Sequence, residues 1–398
     1  AFVDFTATAV AGGFSIVEVS GNGQSDTVTS VLALPLVAEV RVQGTSTPAA
    51  GVMVHWAINY GGGALSLDSV ASDSLGRVQV DYSLDSIAGA AEVIATTPTP
   101  GQYVTFQVQK LAGPPHHMAF LTAPPDTTPA GALLVPQPVV QVQDTFGNPI
   151  LHAGFTIRAF TQSMLSAPKP KGLSASGIRF SGSTSGVDSA QTDSNGTATF
   201  AGLVIDGTTG PENYEFQIDS LALPALFKPF TIVPGAPSTV IATAGAGQTA
   251  FVDSLVAVAP QAWVIDGSGN GVPGVSVAFV VVGSNGGQVT GDTVITDSLG
   301  YASVGSWRMG GTPGTDSLEA RVAALAPALF TATAQPPVPT ISMNLLGTSV
   351  VGVGRQATLA IHLSTPAPAG GFTVSLFSDG PSVVNVDTGA VDFAQFDS

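Results

Sequence analysis

The residue types best suited to catalysis or metal binding are thinly spread along this chain. The five histidines are scattered, and only His116 and His117 are adjacent. A zinc site needs three or four ligands, and no carboxylate or further histidine stands at ligand spacing from this pair. We therefore interpret the two histidines as part of a linker, with a metal role as the alternative.

Two short loops could supply oxygen ligands to calcium, namely 144–148 and 266–270, each of which begins with Asp and ends with Asn. Both lack the run of carboxylates and the final glutamate of a dedicated calcium loop. Turns between strands are the favoured interpretation, and calcium at joints between domains is left open. The sequence has no Gly-x-Ser-x-Gly elbow and no phosphate-binding loop. We predict no catalytic residue, no cofactor and no metal, and we do not expect an enzyme.

A basic stretch is the best candidate for a specific contact. Residues 162–191 carry Lys169, Lys171 and Arg179, in a chain with only 11 Lys and Arg residues. Variable function usually resides in loops mounted on a rigid scaffold, so this insertion is a candidate ligand-binding loop of an adhesin. The alternative is a solvated insertion whose charges only aid solubility.

A sequence motif that occurs three times, at 72–80, 192–200 and 296–304, indicates the turns and strands that position these residues. Each copy has Ser or Thr, then Asp, two further residues and Gly, followed by residues that alternate between apolar and polar. This pattern is typical of a tight turn that leads into a half-buried β-strand. Its recurrence predicts an array of similar units.

Composition points to the same architecture. The chain has 398 residues, 47 Gly and 29 Pro, and only 10% of its residues are charged. This mixture suits short strands and turns rather than long surface helices. We predict an all-β chain of tandem two-layered sandwiches arranged as an extended rod, with Trp56 in the core of the first sandwich.

The repeats predict five segments. They are a separate closing strand at 1–13, sandwiches at 14–113, 114–236 and 237–337, and an incomplete fourth sandwich at 338–398, with the loop insertion 162–191 inside the second sandwich.

The two ends of the chain are predicted to complement each other. Residues 1–10 alternate like a strand, with apolar positions Phe2, Val3, Phe5, Ala7 and Ala9, whereas 338–398 is short for a sandwich and lacks a closing strand. Our hypothesis is strand donation from one copy to the next, which builds a head-to-tail filament. The expected acceptor residues are Leu359, Ile361, Val374, Leu376, Val391 and Phe393. The alternative is that both ends are cuts in a longer tandem chain.

Charge narrows the range of partners. The formal net charge is -16, which argues against a nucleic-acid partner because phosphate binding needs a basic surface. The sequence contains no cysteine and no apolar run of the length that crosses a bilayer. We expect copies of the same chain as partners, with a surface ligand as a further candidate, and no membrane span.

The repeat pattern resembles a known family. The order Asp-x-x-Gly-Asn at 266–270, an alternating strand at 275–279, Gly286-Gly287, the turn at 296–302 and the final strand at 330–334 is similar to that of bacterial group 1 immunoglobulin-like repeats. These repeats occur in invasin- and intimin-type surface proteins. The likeness covers about residues 14–336. It implies immunoglobulin-like sandwiches in an exported rod or stalk at the bacterial surface, and it implies no catalytic residue.

Overall fold

The computed structural model describes residues 12–161, 179–180, 188–338, 340–346, 358–364, 372–374 and 391–393. Every regular element in these ranges is a β-strand, so the prediction of an all-β chain is confirmed. None of the described residues forms a helix long and apolar enough to cross a membrane. By its contacts the chain divides into two compact units, one of residues 1–128 with 132–233 and one of residues 129–131 with 234–398.

The first unit begins with a sandwich of ten strands, the first sandwich. They are β1 (Phe14–Ser20), β2 (Gln24–Thr27), β3 (Leu36–Val42), β4 (Met53–Tyr60), β5 (Ala64–Leu65), β6 (Ser69–Ala71), β7 (Arg77–Val80), β8 (Tyr82–Ser83), β9 (Gly89–Thr96) and β10 (Tyr103–Leu111). One sheet has the order β1-β3-β7, and the other has the order β2-β10-β9-β4-β6, in which β2 runs parallel to β10. The pair β5-β8 lies beside them.

The second sandwich, also in the first unit, repeats this order. Its strands are β11 (His117–Thr122), β12 (Thr127–Pro129), β13 (Ala132–Leu133), β14 (Val139–Gln143), β15 (Thr156–Thr161), β16 (Arg179–Phe180), β17 (Asp188–Gln191), β18 (Thr197–Thr199), β19 (Val204–Asp206), β20 (Gly210–Ile218) and β21 (Leu226–Val233). The sheets have the orders β11-β14-β18 and β12-β21-β20-β15-β17, with a further sheet β13-β19-β16.

The range 162–191 differs from the continuous loop that we expected. Its end, β17, pairs with β15 in the five-stranded sheet. Within the range, β16 pairs with β19 and places Arg179 opposite Asp206. The Ser-rich and Gly-rich composition of the range predicts a loop, and it hides these short strands because they depend on partners distant in the chain.

The second unit contains the third sandwich. Its strands are β22 (Thr239–Ala244), β23 (Gln248–Phe251), β24 (Gln261–Ile265), β25 (Ser276–Val282), β26 (Gln288–Thr290), β27 (Thr293–Ile295), β28 (Tyr301–Ser303), β29 (Ser306–Arg308), β30 (Gly314–Arg321) and β31 (Ala328–Gln335). The sheet orders are β22-β24-β28 and β23-β31-β30-β25-β27, with the pair β26-β29. Two sheets of this kind, antiparallel except where β23 runs parallel to β31, in about 100 residues, are typical of immunoglobulin-like sandwiches.

The last segment has four strands among its described residues. They are β32 (Ile341–Leu346), β33 (Thr358–Leu363), β34 (Phe372–Val374) and β35 (Val391–Phe393). They form two separate antiparallel pairs, β32-β33 and β34-β35.

Each core lies between the two sheets because apolar side chains alternate along the strands. In β4, Val54 and Trp56 point inward and are 0% and 3% exposed, which confirms Trp56 as a core residue. The Trp56 ring lies 5.5 Å from that of Phe106 on β10. Trp307 on β29, which is fully buried, belongs to the core of the third sandwich.

The repeated motif forms the corner that leads into β7, β18 and β28. In the first copy, Asp73 Oδ1 accepts hydrogen bonds from the backbone N–H groups of Leu75 and Arg77, both at 2.8 Å. Gly76 follows at φ 72°, and a Cβ there would stand 2.5 Å from the Val40 carbonyl oxygen. The side chains of Asp193 and Asp297 make the same pair of bonds in the other two copies. The sequence prediction of a tight turn is confirmed.

The Ser or Thr residue before each of these aspartates makes hydrogen bonds to the backbone of the preceding loop. The buried Thr296 hydroxyl donates to the Val272 carbonyl oxygen at 2.7 Å and accepts from the Val275 N–H at 2.9 Å. Ser72 and Thr192 bridge the corresponding groups in the first two sandwiches. A hydroxyl can donate and accept at once, which explains why Ser or Thr stands at this position.

Candidate functional site

The connection between the first two sandwiches holds a buried polar site. The closing strand β10 ends at Leu111 and β11 begins at His117, so the linker is residues 112–116. The loop after β14 turns back towards this linker. Its first residue, Asp144, is 1% exposed, and its last residue, Asn148, is 7% exposed. Burial of polar side chains is costly unless their hydrogen bonds are made, so their partners decide what the site does.

The Asp144 carboxylate accepts four N–H donors. Oδ1 accepts from the backbone of Phe146 at 2.8 Å and of Asn148 at 2.9 Å. Oδ2 accepts from the Asn148 side chain and from the Gly113 backbone in the linker, both at 2.8 Å. The carboxylate thus ties its own loop to the linker.

These contacts also set the charge state of Asp144. Burial opposes ionisation, but the bonds from the Asn148 side chain and from the backbones of Gly113, Asn148 and Phe146 outweigh it. The pKa of Asp144 consequently lies below its ordinary value of 3.8. Hydrogen bonds donated to a carboxylate favour its charged form.

Asn148 reaches across to the first sandwich. Its Nδ2 donates to the Ser86 carbonyl oxygen, and its Oδ1 accepts from the Ala88 N–H, each at 2.8 Å. Ser86 and Ala88 lie in the loop between β8 and β9. We call the set Gly113, Asp144 and Asn148 the joint clamp, since it binds the linker and both sandwiches together.

The hydrogen bonds of the aspartate recur within the second unit. Asp266 follows β24 and accepts from the Gly235 N–H at 2.8 Å through Oδ2, and from the Asn270 side chain at 2.9 Å. Its Oδ1 accepts from the backbones of Ser268 and Asn270, both at 2.9 Å. Its pKa is lowered: burial opposes the charge, but the hydrogen bonds from Asn270, Gly235 and Ser268 outweigh it.

Hydrogen bonds occupy the carboxylates of the two loops. Both oxygens of Asp144 and of Asp266 already accept N–H donors, and a cation would have to displace them. Among the described residues, no three His, Asp or Glu side chains are grouped so as to hold a metal. The loop of Asp144 and Asn148 suits a mechanical role, which is to fix the second sandwich on the first.

The structure describes some of the other predicted site residues, and the rest lie outside the described ranges. His116 and His117 lie in and beside the linker with their Nδ1 atoms 3.3 Å apart. Among the acceptor residues, Leu359 and Ile361 lie on β33 opposite Leu345 and Met343. Val374 and Phe393 face Val391 and Phe372 in the pair β34-β35. Outside the described residues lie Leu376, the basic residues Lys169 and Lys171, and the predicted donor strand with Phe2, Val3, Phe5, Ala7 and Ala9.

Sequence reasoning missed the clamp although a signal was present. Gly113 precedes Asp144 by the same interval by which Gly235 precedes Asp266, and an Asn closes each loop at the same offset. The aspartate loops were interpreted as turns, which is correct for their backbone. Their glycine partners were not recognised because a long-range backbone donor leaves no local pattern.

No protein-family model matches the chain, and no curated protein matches it. Similar solved structures include InvD of Yersinia pseudotuberculosis, with 14% identity over 80% of this chain and 97% of that chain and a TM-score of 0.37. The D0-D1 domain of intimin has 16% identity over 55% and 96%, with a TM-score of 0.21. The tetra-tandem repeat in the extending region of a large adhesion protein has 12% identity over 89% and 88%, with a TM-score of 0.26. These comparisons concern the fold alone, and the sheet orders described above make the chain a tandem array of immunoglobulin-like sandwiches.

Proposed function

We propose that this chain is a structural subunit of an extracellular bacterial filament or surface stalk. The observation that carries the proposal is the joint clamp, in which Asp144 and Asn148 bind the linker and the first sandwich to the second. A chain whose task is to hold modules in a fixed succession needs such joints. It needs no catalytic group, and the proposal includes no enzymatic activity.

The proposal extends to assembly by strand donation. Residues 1–10 of one copy would add a strand to the segment 338–398 of the next copy. The described strands of that segment support this idea because they form two separate pairs, and a strand pair alone is marginally stable. Backbone pairing with an added strand would supply hydrogen bonds, and Phe5 with its alternate neighbours would supply apolar contacts.

The test compares the full chain with a chain that lacks residues 1–10. We expect the full chain to form fibres in negative-stain electron microscopy and the shortened chain to sediment as a monomer. Phe5→Asp should also prevent assembly, whereas Thr6→Asp, which the alternating sequence predicts on the opposite face of that strand, serves as its matched control. Fibres formed equally well by the shortened chain would refute strand donation.

An adhesin is the second candidate, and one observation favours it. Arg179 lies on β16, at the edge of the sheet β13-β19-β16, so this basic residue is mounted on a strand rather than on an open loop. Replacement of Lys169, Lys171 and Arg179 by Ser should abolish adhesion of labelled protein to target surfaces and leave fibres intact. Unchanged adhesion would exclude this range as the binding site.

A further inference from the structure

The linkers after β10, β21 and β31 have the same length but differ in chemistry. They are residues 112–116, 234–238 and 336–340, each running from a closing strand to the next opening strand. In each case the first residue of the opening strand pairs with the last residue of its neighbour, as His117 does with Gln143 and Ile341 with Leu363. Equivalent positions can therefore be compared directly.

The backbone donor of the clamp is missing from the third linker. The second linker residue is Gly113 in the first linker and Gly235 in the next, and each donates its N–H to an aspartate. In the third linker this residue is Pro337. Proline has no N–H group, so it cannot make the bond.

The acceptor is also replaced. The residue directly after the second strand of the pair is Asp144 after β14 and Asp266 after β24, but it is Ser364 after β33. Ser364 Oγ accepts from the Thr340 N–H at 2.9 Å, and the Ser364 N–H donates to the Thr340 carbonyl oxygen at 3.0 Å. These bonds close the pair β32-β33 on itself and reach no loop of the third sandwich.

The third difference lies on the sandwich that precedes the linker. Ala88, just before the first residue of β9, donates its N–H to Asn148. The residue just before the first residue of β30 is Pro313, which again has no N–H. Gly89 and Gly314, which follow these two residues, share a positive φ of 137° and 152°, so the backbones correspond at this point.

We infer that the third linker is an unclamped joint, about which the module that begins with β32 and β33 reorients, whereas the clamp fixes the first two sandwiches. The glycine and the aspartate of the clamp are both replaced at this joint, as is the residue that donates to its asparagine, and modules without a substantial shared interface move relative to one another. The prolines at 336, 337 and 339 favour an extended linker. We therefore expect the module to swing about the linker while its distance from the third sandwich stays constant. The inference holds whether or not chains assemble into fibres.

Paired spin labels in the full chain test this inference, because the sequence has no cysteine of its own. Gln109→Cys with Thr199→Cys spans the clamped joint, and Thr333→Cys with His362→Cys spans the third joint, all at exposed positions. Gln109 and Thr333 occupy equivalent places on their closing strands. We expect the distance distribution across the third joint to be at least about twice as wide as that across the first.

A clamp-deficient variant provides the reciprocal measurement. Gly113→Pro with Asn148→Ala should widen the distribution across the first joint towards that of the third. Hydrogen exchange should show protected amides in β32 and β33, so that a folded module is moving. Equal widths at the two joints, a first joint that stays narrow without its clamp, or unprotected β32 and β33 would each overturn the inference.

Discussion

The first and third sandwiches share their corners but stabilise one end of their interiors with opposite charges. In the first sandwich, buried Lys110 on β10 bonds to Asp85 at 2.6 Å and to the Gly61 carbonyl oxygen. In the third sandwich, the buried side chain is Asp316 on β30, which accepts from the Gly310 N–H at 2.8 Å. Cation and anion serve the same end, which is to satisfy backbone groups that the loop buries.

Register shows that these are substitutions rather than different folds. Lys110 lies opposite Asp26 on the parallel strand β2, and Ala334 occupies the matching place opposite Ala250. Asp85 corresponds to Gly310, since the carbonyl oxygen of each accepts the N–H of Thr29 or Asp253. The comparison shows that buried backbone groups must be hydrogen-bonded, whereas the side chain that bonds to them can carry either a positive or a negative charge.

The largest expected effect is that of Lys110→Met. The change keeps much of the buried stem but leaves the Gly61 carbonyl oxygen and Asp85 without their cation. Removal of one partner of a buried ion pair should destabilise the first sandwich by about 3 kcal/mol. This figure is at the lower end of the range for buried pairs because Asp85 is partly hydrated. Hydrogen exchange of β9 and β10 measures the loss, and β30 and β31 in the same molecule should be unaffected.

Lys228→Met is the matched control for this prediction. Lys228 also bonds to an aspartate, but its partner Asp126 is 88% exposed. Exposed ion pairs contribute roughly 0–1 kcal/mol, so exchange in β20 and β21 should change little. An equal loss in both variants would show that lysine removal, rather than burial of the pair, is responsible.

The next effect tests what the two sandwiches share. Gly76→Ala and Gly300→Ala should each destabilise their own sandwich by about 2 kcal/mol, because φ is positive and the new Cβ meets the backbone. The Cβ would stand 2.5 Å from the Val40 carbonyl oxygen in one case and 2.7 Å from that of Val264 in the other. Urea unfolding followed by hydrogen exchange in β7 and β28 measures both.

Gly269→Ala separates the two causes. Gly269 also has a positive φ, of 84°, but a Cβ there would have open space around it. Its cost should be only the conformational part, about 1 kcal/mol. A Gly300→Ala variant no less stable than Gly269→Ala would contradict the argument from close contact.

The smallest effect is an acid sensitivity that arises at a position where the two sandwiches differ. Asp266 in the third sandwich has a lowered pKa, whereas the first sandwich has Val42 at this position. The stabilisation from a lowered pKa is complete above the ordinary value of 3.8 and is lost as pH falls below it through the folded-state pKa. Acid should therefore shift the side-chain amide resonance of Asn270 and weaken the third sandwich. Asp266→Asn should remove this pH dependence, and its persistence in that variant would assign it to another carboxyl group.

Much of the fold was predictable because its signals are local. The repeated turn motif makes its own hydrogen bonds, as Asp73 shows, and its backbone has a positive φ that favours glycine. Three corners could therefore be placed from the sequence. Alternation in β4 placed Trp56 in the core. The short strands within 162–191 were missed because Arg179 and Phe180 pair with β19, which is distant in the chain.

The candidate site was predictable in part. The aspartate loops were correctly interpreted as turns, but their role at the joint depends on Gly113 and on the loop that contains Ser86 and Ala88. The pair of Lys110 and Asp85 gave no sequence signal, since a lysine in an alternating strand is usually solvated. The roles of residues 1–10 and of Lys169 and Lys171 stay predictions.

The all-β class, the repeated corners and the inward faces of the strands follow from local sequence, because each depends on residues within one turn or one strand. The sheet that each strand joins, the backbone group that each buried charge meets and the clamp between the first two sandwiches arise only in the folded chain. These depend on atoms brought together from distant positions, and local preferences of the chain do not specify them.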